Sequence, residues 1–206
     1  MSQFFQIHPD NPQLRLIRGA VEIIKQGGVI VYPTDSCYAL GCQIGNKKAV
    51  DRVRQIRQLS DKHNLTLMCR DMAEVSEYAM VDNIAYRMMK GITPGPYTFI
   101  FPAMKTVPKR LLHPKRKTIG IRVPGNEITL ALLAELGEPL LSTTLILPDD
   151  EIPLMDPYEM RDIIGNQVEL IIDGGYCGLE ATTVIEMLDE GPEIVRRGKG
   201  VDELVF

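Results

Sequence analysis

The segment Pro33-Thr34-Asp35-Ser36-Cys37-Tyr38 places hydroxyl and carboxylate side chains directly after the apolar run 29–32. Open α/β sheets bind ligands where their strands end and the chain leaves the interior. Convergence of several such ends in one crevice would bring together hydroxyls, backbone amides and arginines, which suit phosphate and carboxylate ligands. Polar groups also follow three later apolar runs, at Thr143-Thr144, Asp173-Gly174-Gly175 and Arg196-Arg197-Gly198.

Familiar nucleotide and metal motifs are missing from the sequence. There is no Gly-x-x-x-x-Gly-Lys-[Ser/Thr] loop and no Gly-x-Gly-x-x-Gly fingerprint. The four cysteines and three histidines have no zinc-ligand spacing, so we expect reduced, mostly buried thiols, with Cys37 and Cys42 the most reachable. Asp35 and Asp173 follow strands, and we interpret them as hydrogen-bonding their own turns rather than as general bases.

Hydrophobic periodicity predicts alternating helices and strands. The first helix is expected to begin at Asn11-Pro12 and to end at Gly27-Gly28. Further helices are predicted to span 82–90 and 127–136 and to begin near Asn46 and at 71 and 156. Strands are predicted at 29–32, 65–69, 97–101, 118–123, 140–144, 168–172, 183–187 and 193–197. The pattern predicts a single α/β domain over residues 1–206, with helices around a large, twisted, open mixed sheet.

Composition favours a domain that folds alone, because 206 residues with 45% hydrophobic content can bury a sizeable core. No apolar run approaches the roughly 20 residues that span a bilayer, and the N-terminal residues lack a secretory pattern. We therefore expect a cytoplasmic protein with no membrane partner.

Charge is unevenly distributed along the chain. Residues 1–122 contain 19 Lys and Arg against 9 Asp and Glu, whereas residues 123–206 contain 4 against 18. No acid lies between Asp82 and Glu127, and this stretch includes the long connection 102–117. A region of one sign can form a phosphate-binding face, although its side chains can equally be spread over the surface and solvated. The predicted RNA-binding residues are Lys105, Lys109, Arg110, Lys115, Arg116 and Lys117.

Four motifs together resemble the YrdC-like family, most closely its YciO branch. They are Val31 to Gly41, Pro94 to Phe99, Ile119 to Pro124, and the segment from Ala181-Thr182-Thr183-Val184 to Arg196-Arg197-Gly198, and the resemblance covers about residues 12–200. It implies a YrdC/RibB-like fold with a basic concave surface that binds nucleotide and double-stranded RNA or tRNA. Family enzymes condense threonine, bicarbonate and ATP into threonylcarbamoyl-adenylate and release pyrophosphate, for modification of a tRNA adenosine; Mg²⁺ is a possible companion of ATP.

The resemblance assigns roles to individual residues. Thr34 and Tyr38 would surround threonine, Arg122 would bind an anionic group in the same pocket, and Thr182 would take the place of a family serine. Arg196 would help to hold the nucleotide, and guanidinium suits these tasks because its planar fork forms paired bonds with carboxylate or phosphate.

Two family motifs are incomplete in this chain. The family's Lys-x-Arg aligns with Arg57-Gln58-Leu59, and its Ser-x-Asn aligns with Thr144-Leu145-Ile146. Arg57 and Thr144 thus remain as the candidate catalytic residues, with Lys62 and His63 as candidate replacements on the nucleotide's phosphates. Loss of one preorganised donor costs on the order of 10²- to 10³-fold in rate.

Three functional hypotheses follow. The first is an RNA- and nucleotide-binding protein with weak or altered threonylcarbamoyl-AMP synthase activity. The second is an RNA- or ribosome-binding protein without catalysis. The third is carbamoyl transfer to another acceptor, since some YrdC-like domains belong to multidomain carbamoyltransferases.

Overall fold

The computed structural model describes residues 2–60, 63, 65–188 and 191–204. Six α-helices and ten strands lie within these ranges, together with short 3₁₀ turns at Lys109–Leu111 and Val201–Glu203. The helices are α1 (Leu14–Lys25), α2 (Lys47–Arg57), α3 (Met72–Tyr78), α4 (Asn83–Ile92), α5 (Glu127–Leu136) and α6 (Pro157–Ile164). The strands are β1 (Gln3–Gln6), β2 (Ile30–Tyr32), β3 (Ala39–Gln43), β4 (Thr66–Met68), β5 (Tyr97–Pro102), β6 (Thr118–Arg122), β7 (Leu140–Thr144), β8 (Leu170–Asp173), β9 (Thr183–Leu188) and β10 (Gly191–Arg196).

All ten strands join one mixed sheet, in the order β1-β8-β2-β3-β7-β4-β6-β5-β9-β10. Parallel pairs such as β2–β8 and β4–β6 alternate with antiparallel pairs such as β3–β7 and β5–β6. This confirms the predicted α/β class with a large mixed sheet.

Period-two alternation sends neighbouring strand residues to opposite faces of this sheet. Val31 and Ile171 enter the larger core, whereas Ile30 and Ile172 enter the second core on the other face. The larger core extends to Phe99 and Ile121 in the second half of the sheet. The second core is built by α1 and α5 against β8, β2, β3 and β7. The cavity described below begins on β3 and β7 and continues along the same face over β4, β6, β5 and β9.

Two strands escaped prediction. β1 is only four residues long, and β3 (Ala-Leu-Gly-Cys-Gln) lacks the β-branched composition typical of strands. Position 41 of β3 requires glycine, because a Cβ there would come within 2.7 Å of both Leu140 Cδ2 and Tyr32 Cε1. Tight packing between neighbouring strands thus requires a glycine, a residue type that the local sequence pattern associates with loops.

The predicted start of α1 was wrong. The helix begins at Leu14 after Gln13, which makes no side-chain cap. His8 Nδ1 accepts hydrogen bonds from the backbone N–H groups of Asp10 and Asn11, and His8 N–H donates to Gln13 Oε1. Residues 8–13 therefore form a closed turn that keeps Asn11 out of the capping position. The N-caps of the other helices follow the sequence, and Asp71 Oδ1 accepts from Glu74 N–H at 2.9 Å. The helix predicted to end at residue 90 continues through Gly91 to Ile92.

Candidate active site

A cavity of about 330 Å³ lies over the half of the second sheet face that α1 and α5 do not cover. Its floor consists of alternate residues from adjacent strands, which period-two geometry brings to one face. Gly120 is at the centre, where a Cβ would come within 2.8 Å of Thr66 Oγ1. The floor residues are Ala39 of β3, Ser142 and Thr144 of β7, Thr66 and Met68 of β4, Gly120 and Arg122 of β6, Thr98 and Ile100 of β5, and Val184 of β9.

The position of this cavity corrects the expected crevice at the strand ends. Thr34, Thr144 and Arg196 do meet there, but the turn after β8 does not contribute. Gly174 N–H donates to Tyr38 Oη, and Tyr38 Oη donates to the carbonyl of Gly175. Tyr38 is fully buried by this arrangement and does not line the cavity, and burial raises the pKa of its phenol.

Arg122 ties the Thr34–Cys37 turn to the sheet. The guanidinium is 5% exposed, and its Nη2 donates to Asp35 Oδ1, to Ser36 Oγ at 3.0 Å and to Thr34 Oγ1 at 3.4 Å. Lys199 Nζ donates to the carbonyl of Asp35 at 2.6 Å. Asp35 is therefore structural through an ion pair rather than through its own turn, whereas Asp173 does accept from Gly175 N–H in its own turn.

Thr34 lines the cavity, but its hydroxyl is already engaged. Thr34 Oγ1 donates to the carbonyl of Cys37 at 2.6 Å and accepts from Ser36 and Cys37 N–H. Cys37 lines the same cavity while being 1% exposed, and burial raises the pKa of its thiol. Cys42, which we expected to be reachable, lies in the larger core.

Arg57 and His63 form the opposite wall. Arg57 is the last residue of α2, and its buried Nε has no hydrogen-bond partner among the residues that the structure describes. Burial lowers its pKa, because charging a partly desolvated guanidinium is unfavourable. The pKa of His63 is also lowered, by removal from water and by the charges of Arg57, Arg54 and Arg196. Lys62, the other predicted replacement, lies outside the described residues.

Arg196 is held in place by Thr182. Its Nε and Nη2 donate to the carbonyl of Thr182 at 3.1 and 2.8 Å, and Nη2 also contacts Thr182 Oγ1 at 3.1 Å. Thr182 Oγ1 in turn bonds Thr98 Oγ1 at 2.8 Å. Thr182 is buried behind Arg196 and is not among the cavity-lining residues, so its contact with the cavity is indirect. Burial lowers the pKa of Arg196, as does the nearby Arg122.

The two incomplete motifs have physical explanations. Leu59 packs against the larger core, so an apolar residue suits its position. Ile146 lines the cavity and gives it an apolar patch where the family motif has an amide. The sequence patterns did not lead us to predict three of the cavity residues, Thr66, Thr98 and Ser142. The signal that could have revealed them is a polar residue at alternate positions of otherwise apolar strands.

The predicted RNA-binding residues are all exposed, and they lie outside the cavity lining. Three of the six also make internal contacts. Arg110 donates to the carbonyl of Gly45 at 2.7 Å, Arg116 pairs with Glu186, and Lys117 donates to the carbonyl of Pro114 at 2.6 Å.

A mixed sheet with a cationic, hydroxyl-lined cavity defines an α/β domain suited to anionic ligands. The family model Sua5_yciO_yrdC, described as telomere recombination, matches residues 22–198, and the chain belongs to this family. The chain is 61% identical over 200 residues to YciO of Escherichia coli (strain K12), with 97% of each chain covered. The crystal structure of E. coli YciO superposes with a TM-score of 0.94 at 61% identity, again over 97% of each chain.

Two more distant matches are named for an activity or for a bound ligand. The threonylcarbamoyl-AMP synthase of Coxiella burnetii (strain RSA 493 / Nine Mile phase I) is 32% identical over 159 residues, covering 77% of this chain and 84% of that protein. The structure of P. abyssi Sua5 complexed with L-threonine has a TM-score of 0.88 at 22% identity, over 96% of this chain and 58% of Sua5, and thus shares the fold.

The described ranges contain no group of three or more His, Cys, Asp and Glu side chains that could hold a metal ion. Among the described residues, the cavity lining offers arginines, a histidine and hydroxyls but no carboxylate, a donor set that does not fit a resident Mg²⁺. No helix among the described residues is long and apolar enough to cross a bilayer.

Removal of the Asp35 charge should destabilise the protein, because it leaves Arg122 buried without its counter-ion. We expect Asp35→Asn to lower the free energy of unfolding by about 3–5 kcal/mol. The matched control is Glu135→Gln, which breaks the exposed pair with Arg18 and should cost about 0–1 kcal/mol. Urea denaturation measures both, and equal losses in the two variants would contradict the structural role of the buried pair.

Proposed function

We propose that the cavity binds ATP together with a small amino acid, and that the protein has weak or altered threonylcarbamoyl-AMP synthase activity. The observation that carries this proposal is the convergence of Arg57, Arg122, Arg196 and His63 on one cavity, with Arg57 Nε buried and without a partner in the described ranges. A buried donor without a partner is costly, so a ligand that accepts its hydrogen bond gains affinity. The similarity to threonylcarbamoyl-AMP synthases supports this assignment.

The four cationic residues differ in whether a carboxylate already neutralises their charge. Asp35 already neutralises much of the charge on Arg122, whereas the described part of the cavity lining holds no carboxylate for Arg57 or Arg196. We assign the triphosphate to the side with Arg57, His63 and Arg196, and the amino acid to the side with Arg122 and Thr34. Any Mg²⁺ would then arrive with the nucleotide, since no described residue of the cavity wall supplies a carboxylate.

The reaction would proceed by displacement at the α-phosphorus. Threonine and bicarbonate form an N-carboxylated amino acid with loss of water. A carbamate oxygen then bonds to the α-phosphorus while the bond to the β-phosphate oxygen breaks, and pyrophosphate leaves with the electron pair. Negative charge builds up on the transferring phosphoryl group, so Arg57, Arg196 and the Thr144 hydroxyl would stabilise the transition state.

We expect weak rather than full synthase activity, because apolar side chains occupy positions 59 and 146 of the two incomplete motifs. Leu59 packs into the core and Ile146 lines the wall, so neither can donate a hydrogen bond to phosphate. His63 can supply a further donor at the rim of the cavity. Its lowered pKa favours the neutral imidazole in the free protein, and binding of a phosphate anion would favour its protonation.

Pyrophosphate release tests the catalytic proposal. With ATP, bicarbonate and threonine, the wild-type protein should release pyrophosphate, and Arg57→Ala should lower the rate by about 10²- to 10³-fold. Arg15→Ala is the matched control, since Arg15 is exposed on α1 and should leave the rate unchanged.

Replacement of threonine by each other amino acid separates altered specificity from loss of function. Release with a different amino acid would redirect the assignment to that substrate. Absence of release with every amino acid, while ATP still binds, would refute catalysis and leave nucleotide binding.

RNA binding is a second candidate, favoured by the exposed cations of the connection 102–117. Lys105, Lys109 and Lys115 are exposed at this surface, and there is no acid from residue 83 to residue 126. Such a surface binds phosphates through charge alone and releases counter-ions as it does so. It would serve either an enzyme that acts beside tRNA or a binding protein without catalysis.

Salt dependence tests this second candidate. The logarithm of the RNA affinity should fall linearly with the logarithm of salt concentration, with a slope of about −0.7 to −0.9 per phosphate neutralised. Lys109→Ala and Lys115→Ala should each reduce the steepness by about one. Lys47→Ala, an exposed lysine on α2, is the control that should not change it. Affinity that is insensitive to salt, or absent at low salt, would refute RNA binding by this segment.

A further inference from the structure

The two edges of the sheet are built differently. β10 contains Pro192, Glu193 and Arg196, and its register shifts between residues 194 and 196. Proline, charge and a bulge are the devices that keep an edge strand from pairing with another chain. β1 (Gln3–Gln6) has none of them, and no charged side chain occurs from Ser2 to Ile7.

The outer side of β1 has backbone groups available for pairing. Gln3 N–H donates to the carbonyl of Glu169 at 2.8 Å, and Ile7 N–H donates to the carbonyl of Asp173 at 2.9 Å. In a parallel ladder, alternate residues direct their N–H and C=O groups to the same neighbour. Gln3, Phe5 and Ile7 therefore face β8, whereas Phe4 and Gln6 direct their backbone groups away from the sheet.

Apolar side chains flank this open edge on both faces. On the α6 side, the rings of Phe4 and Tyr158 are 5.0 Å apart, and Tyr158 is 46% exposed. On the α1 side, the half-buried Phe5 packs at the margin of the second core together with Leu16 and Ile23. A partner strand at this edge would cover apolar surface in addition to satisfying backbone groups.

We propose that β1 pairs antiparallel with β1 of a second copy of this chain, which extends the sheet across a two-fold axis. The uncharged edge suits a copy of itself, because identical strands can approach without like-charge repulsion. The flanking α6 presents both signs of charge, with Glu159, Arg161 and Asp162 all exposed. Antiparallel copies of this helix can therefore face each other with opposite charges.

The free backbone groups define one register. A hydrogen-bonded antiparallel pair needs outward-facing residues opposite each other. Pairing that used Ser2 or His8 would require N–H groups that already donate to Gly165 O and Gln13 Oε1. The remaining register sets Phe4 opposite Gln6 of the partner subunit, and brings Phe5 to the axis opposite Phe5 of the partner subunit.

Sedimentation velocity over a range of concentrations tests the proposal. Among the backbone hydrogen-bonding groups, Gln6→Pro removes only the outward N–H, at a position where an edge strand tolerates proline, and it should weaken dimerisation by about tenfold or more. Gln6→Ala loses the same side chain but keeps the N–H, and should dimerise like the wild type. A monomeric wild type up to its solubility limit, or equal dimerisation of the wild type and Gln6→Pro, would overturn the proposal.

A crosslink tests the register independently, should Gln6→Pro fail to fold. Phe5→Cys places two thiols at a non-hydrogen-bonded pair, where the close approach of side chains suits a disulfide. Mild oxidation should yield a covalent dimer of Phe5→Cys, and little from Gln3→Cys or from the parent with its native cysteines. Equal crosslinking of Phe5→Cys and Gln3→Cys would overturn the register, and no crosslinking in either would overturn the pairing.

Discussion

The buried ion pair between Asp35 and Arg122 is the interaction on which the candidate site depends. Arg122 ends a central strand, and its guanidinium holds the turn of residues 34–37 against the sheet through three side chains. The turn thereby becomes one wall of the cavity, while α1 and α5 cover the other half of the same sheet face. Removal of either charge would leave its partner unpaired in a place that water reaches poorly.

The ion pair of Asp35 and Arg122 also determines which residues give the cavity its net positive charge. Because Asp35 is committed to Arg122, the net positive character of the cavity comes from Arg57, Arg196 and, on protonation, His63. Arg196 is positioned by Thr182, and Thr182 by Thr98, so a chain of hydrogen bonds links Arg196 to β5. Leu59 and Ile146 reduce the number of donors around this region, which makes each arginine that remains more important to any phosphoryl chemistry.

The sequence predicted the parts of this structure that have a local signal. Helix periodicity located α2 and α5 closely, and the polar residues after apolar runs identified Thr34, Thr144 and Arg196. Prediction from sequence failed where contacts between distant residues determine the structure. The strand β3 was missed because its Gly41 packs between Tyr32 and Leu140, which no local pattern shows. Tyr38 was wrongly placed in the cavity because its hydroxyl instead bonds the backbone of Gly174 and Gly175. The partner of Asp35 is 87 residues away and belongs to another strand, so no local pattern could reveal the pair.

Calorimetric titration of ATP into the wild type, Arg57→Gln and Arg15→Gln tests the central claim most directly. The account predicts that ATP binds the wild type and Arg15→Gln alike, that its affinity falls as salt is added, and that Arg57→Gln binds at least about tenfold more weakly through loss of a charge-assisted contact. Equal affinity in all three proteins, or no ATP binding to the wild type, would contradict the assignment of the cavity to the nucleotide's phosphates.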